Sequence, residues 1–166
     1  LIPTANPNQN QIDFTVQRYD ANGTLIWSRQ VGTPALEGVS ALAHDGSGGV
    51  WAGGFTNGAF PGNVLTGSSD ALLVRLDAGG NISFVKQYAP GVGQGASIHA
   101  LALTPNGSVF AVGDVFGTFP GQISSGGFDI MASLIQSDGT TVWNRQFGSS
   151  ASDRGVGASV LANGNL

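Results

Sequence analysis

Charge is scarce in this sequence. Only 10% of the 166 residues are Asp, Glu, Lys or Arg, against roughly a quarter in an ordinary globular protein. That excludes a charge-rich disordered tail. It also argues against long surface helices, whose outer faces need Lys, Glu and Arg. The six basic residues are dispersed and the formal net charge is −4, so no basic patch could neutralise a phosphate backbone and nucleic acid is not an expected partner. Cysteine is absent. Disulfides are therefore excluded, but the compartment stays open, because exported bacterial proteins can also lack them. No apolar run approaches the ~18 residues of a spanning helix, and no signal-peptide pattern is present.

What is abundant is glycine, 27 residues, beside a hydrophobic fraction of 41%. Many short strands joined by glycine turns fit that combination. Self-similarity then gives the organisation. The stretch Asp13-Phe14-Thr15-Val16-Gln17-Arg18-Tyr19-Asp20 returns 57 residues later as Asp70-Ala71-Leu72-Leu73-Val74-Arg75-Leu76-Asp77. A third copy opens 59 residues further on, at Asp129-Ile130-Met131-Ala132. A second block, Trp27-Ser28-Arg29-Gln30, returns as Phe84-Val85-Lys86-Gln87 and Trp143-Asn144-Arg145-Gln146. A third, Gly58-Ala59-Phe60-Pro61-Gly62, returns as Gly117-Thr118-Phe119-Pro120-Gly121, and Pro3 aligns with its proline. Three blocks on one period define a repeat.

Within a period, strands are predicted over 40–44, 50–55, 71–77 and 82–88, separated by Gly, Asp and Asn clusters that tolerate the positive φ of tight turns. Four short antiparallel strands per unit is the arithmetic of a propeller blade. The expected fold is all-β, with tandem four-stranded antiparallel sheets forming β-propeller blades, about three repeats in all. The expected division is a partial blade over 1–38, blades over 39–95 and 96–154, and a partial blade over 155–166. Three repeats are fewer than the roughly four to eight blades of a closed ring. The chain is thus expected to be part of a larger propeller, with pairing of two chains through incomplete blades as the alternative.

The series Asp13, Asp20, Gly23, Trp27 and its copy Asp70, Asp77, Gly80, Phe84, with a valine inside each strand (Val16 and Val74, one position out of register), followed by a glycine stretch and a strand such as Gly107-Ser108-Val109-Phe110-Ala111-Val112-Gly113, resembles the bacterial SBBP (beta-propeller) repeat family. The resemblance spans essentially the whole chain. It implies an extracellular or cell-surface location and no particular chemistry. A shorter stretch, residues 20–27, is similar to pyrroloquinoline-quinone-type propeller repeats but lacks their Thr-Gly step.

No residue is nominated as catalytic, cofactor-binding or metal-binding. Asp13, Asp70 and Asp129 recur, as do Asp20 and Asp77, and a group needed in every unit reads as architecture rather than catalysis. Asp20-Ala21-Asn22-Gly23 and Asp45-Gly46-Ser47-Gly48 lack the terminal Glu of a calcium loop. His44 and His99 have no Cys or His-x-x-x-His beside them and are expected to be partly buried strand residues. Trp27, Phe84, Trp143, Trp51 and Phe110 are expected to pack between blades. No nucleophile elbow and no phosphate-cradling loop is present. The expected function is a non-catalytic interaction or scaffold module with a protein or glycan partner. The alternatives are a carbohydrate-binding module using Phe60-Pro61 and Phe119-Pro120, and a fragment of a propeller enzyme with its site on the axial channel.

Overall fold

A computed structural model describes residues 12–166; Pro3 lies outside them. Among the described residues ten strands form three antiparallel sheets, and there is no helix. The first is the hairpin β1 (Phe14–Tyr19) and β2 (Leu25–Val31). The second is the meander β3 (Glu37–His44), β4 (Val50–Thr56), β5 (Asp70–Leu76) and β6 (Ile82–Tyr88). The third is β7 (Gly95–Leu103), β8 (Val109–Phe116), β9 (Phe128–Ile135) and β10 (Thr141–Phe147). No helix among the described residues is long and apolar enough to cross a membrane.

Three predicted strands shift at their ends, β4 only by running one residue further, to Thr56. β3 begins at Glu37 rather than Ser40, because a bulge at Ser40 breaks the register between Val39 and Ala41 and with it the apolar alternation. The third strand starts at Asp70 and stops at Leu76, since the Asp77 carboxylate belongs to the following turn.

Side chains alternate across a strand, so neighbouring residues face opposite ways. On the middle sheet both faces are covered. Ala52, Leu72, Val74 and Leu76 join Phe14, Val16 and Val31 of the first hairpin in one core, with Phe60 beneath. Trp51, Ala71 and Leu73 join Ala111, Val115, Met131 and Ile135 of the third sheet in another, with Phe119 beneath. The two cores are copies: Phe60 and Phe119, Leu72 and Met131, and Leu76 and Ile135 are each 59 residues apart. The middle sheet thus shares one core with the first hairpin and another with the third sheet.

Both junctions are fastened in the same way. Arg18 of β1 donates to the Ala78 carbonyl at 3.0 Å, and Arg75 of β5 donates to the Ser137 carbonyl at 2.6 Å. The Trp27 ring lies over Gly80, and the Phe84 ring over Gly139. Each of these glycines ends the tight turn of the next sheet, at φ +78° and +86°. A Cβ at Gly80 would come within 2.7 Å of the indole. Glycine thus serves the turn and makes room for the neighbouring aromatic.

Candidate functional site

The repeated polar residues are structural hubs. Gln30 donates to Asp13, Gln87 to Asp70 and Gln146 to Asp129, across 2.8, 3.2 and 2.8 Å. The Gln146 amide also donates to the Gly117 carbonyl and accepts the Phe119 N–H, and Gln87 repeats both bonds with Gly58 and Phe60. One side chain thus ties the Phe-Pro-Gly loop to the strand pair. Burial alone would raise the Asp129 carboxyl. Hydrogen bonds from Gln146, Ser125 and Ser124 outweigh it and hold the group below its ordinary value.

The other acids serve their own turns. Asp20 Oδ1 accepts the Asn22 and Thr24 N–H groups, and Asp77 Oδ1 those of Gly79 and Asn81. Asp45 Oδ1 accepts the N–H groups of Ser47 and Gly49. For Asp45, burial raises the carboxyl, but the Ser47 hydroxyl and N–H, the Gly49 N–H and Arg75 together lower it.

Trp27 and Phe84 seat on the following sheet and Trp51 lies in the core shared with the third sheet, as expected, whereas Phe110 and Trp143 meet within the third sheet itself. Trp51 meets Phe84 edge-on at 5.4 Å, Phe110 meets Trp143 at 5.8 Å, and the Arg75 guanidinium lies 5.3 Å from the Trp51 ring. Two further expectations need correction. Phe60 and Phe119 are only 1% and 4% exposed, so these rings plug the inter-sheet cores and cannot stack on a sugar. His44 is exposed at the end of β3 rather than partly buried, because it lies on the strand face that also leaves Ser40 and Leu42 uncovered. His99 is partly buried, at a bulge in β7.

Residues that depart from the repeat converge at one place. His99 replaces Ser40 at the bulge, and Asp114 of β8 replaces Phe55 of β4. Arg154 stands where Gly38 and Ser97 stand in the other copies, since the Asp153, Glu37 and Ala96 N–H groups before them bond to the equivalent carbonyls of Phe128, Ile12 and Ser69. The buried Asp114 carboxylate has Oδ1 3.1 Å from His99 Nε2, without hydrogen-bond alignment, and Oδ2 3.3 Å from Arg154 Nε. The Arg154 guanidinium also lies 5.0 Å from the Phe128 ring, which meets Phe116 at 5.5 Å. The backbone around Arg154 is pinned, since the Asp153 N–H bonds to the Phe128 carbonyl and the Gly155 N–H to the Gly113 carbonyl.

Beside this cluster opens a cleft of about 230 Å³, lined by Ser68, Ser69, Ser97, Asp114, Phe116 and Phe128. No family model and no curated protein sequence matches the chain. The site therefore rests on its geometry: a carboxylate that holds a guanidinium in place, two phenyl rings and three hydroxyls. No group of three or more His, Cys, Asp or Glu able to hold a metal occurs among the described residues. Sequence reading passed over Asp114 and Arg154 because it followed what recurs. The available signal was the opposite one, a charged residue at positions where the other copies carry phenylalanine, glycine or serine.

Proposed function

We propose that the three sheets are successive blades of a β-propeller of the SBBP-repeat kind, and that the chain is a non-catalytic interaction module of a bacterial extracellular or cell-surface protein. The observation that carries this reading is the identical fastening of both junctions, Arg18 with Trp27 on one turn and Arg75 with Phe84 on the next. A sheet that meets its neighbour the same way each time turns by the same increment, and equal turns about one axis generate a ring. Polar groups that recur in every unit are used up inside hubs and turns. The surface that remains distinctive is suited to holding a partner.

Small-angle scattering together with negative-stain images of the chain tests the geometry. Sheets fanned about one axis, at about 45–90° per unit for a ring of four to eight blades, are the expected result. A straight stack overturns it. Antibody labelling of intact against permeabilised cells tests the location, and labelling only after permeabilisation rejects a surface role.

A further inference from the structure

We propose that the cleft beside Asp114 binds an acidic saccharide, with the ligand carboxylate on Arg154 and a sugar ring against Phe116. Arg154 forms an ion pair with Asp114, Nε 3.3 Å from Oδ2 without hydrogen-bond alignment, lies against Phe128, and has its backbone fixed by the two bonds that flank it. Its side chain is nevertheless 59% exposed, and its Nη groups bond to nothing among the described residues. The other arginines differ: Arg18, Arg29, Arg75 and Arg145 each donate to a backbone carbonyl. A guanidinium anchored at one edge, with its outer fork free, matches a planar carboxylate.

The cleft supplies the rest of the recognition. Ser68 Oγ already donates to the Gln94 carbonyl and Ser69 Oγ to that of Ala96, which leaves both oxygens as acceptors for ligand hydroxyls. Phe116 is 50% exposed and offers its face to a ring of C–H groups. The cleft has room for one ring rather than for a folded domain. Equivalent positions in the preceding sheet carry Phe55 and Asn57 in place of Asp114 and Phe116, so that sheet does not repeat the site.

The proposal names a ligand for the interaction module described above and rests on that reading. Titration of the chain with sodium glucuronate, glucose, acetate and the tripeptide Gly-Glu-Gly, followed by NMR of the Phe116, Phe128 and Arg154 signals, tests it. Glucuronate is expected to bind at least tenfold more tightly than glucose or acetate. Arg154→Ala should weaken it at least tenfold, Arg154→Lys should restore only part of the loss, and Phe116→Ala should weaken it severalfold. Both positions are at least half exposed, and unchanged far-ultraviolet dichroism verifies the fold. Equal binding of glucose, equal binding of acetate, tighter binding of Gly-Glu-Gly, or indifference to Arg154→Ala each overturns the proposal. Fanned sheets without glucuronate binding would sink this ligand and leave the module reading standing.

Discussion

At the scale of single residues, the glutamine hubs make the sharpest demand. Gln146 is buried and bonds to Gly117, Phe119 and the Asp129 carboxylate. Replacing it strands an acid, a carbonyl and an N–H away from water. Gln146→Ala is expected to destabilise the chain by about 2–4 kcal/mol, measured as a lower midpoint in urea. Carboxylates govern the response to acid. The Asn81 backbone and side-chain amides hold the Asp77 carboxyl below its ordinary value, and the Thr140 N–H and hydroxyl do the same for Asp138. A carboxyl whose value is lower in the folded chain adds stability above its unfolded value of about 3.9, and that stability disappears as pH falls through the folded value. The urea midpoint should therefore decline from about pH 5 towards pH 2. A double Asp77→Ala, Asp138→Ala variant should show a shallower decline; an equally steep one would mean these turns do not contribute.

At the scale of strands and turns, the sequence was most readable where local chemistry and long-range packing agree. β4, β6 and the hairpin turns are visible because short apolar stretches, continuous in β4, lie between turn residues that need positive φ. The first strands were harder to read. Glu37 interrupts the apolar run and is buried, with its carboxylate accepting bonds from Thr33 and Thr56, and nothing in the local pattern announces those partners. The site was harder still, because Asp114 and Arg154 lie 40 residues apart in sequence and meet only when the chain beyond β10 returns against β8 and β9. Turn glycines give a test of how the elements meet. Gly23 and Gly80 have nearly equal φ, +81° and +78°, but only Gly80 lies beneath a ring. Gly23→Ala should cost about 1 kcal/mol for the backbone alone. Gly80→Ala should cost clearly more, because Trp27 must also move; equal losses in thermal melts would mean that the ring does not press on the turn.

At the scale of the whole molecule, two adjacent residues of β5 serve different cores. Leu72 faces the first hairpin and Leu73 faces the third sheet. Each Leu→Ala change should cost about 2–5 kcal/mol, but the damage should spread in opposite directions. Amide exchange should quicken chiefly in β1 and β2 for Leu72→Ala, and chiefly in β7 to β10 for Leu73→Ala. Identical exchange maps for the two variants would show that the sheets do not open separately.

The shared manner of fastening has a consequence for how such a chain can change. Because Arg75 and Phe84 seat on the sheet that follows them as Arg18 and Trp27 do on theirs, a duplicated unit would arrive with both halves of its own joint. An added copy would need no fresh invention at either border. Length can then drift in whole units while one copy is free to specialise, and the cleft at Asp114 is what such a specialised copy looks like.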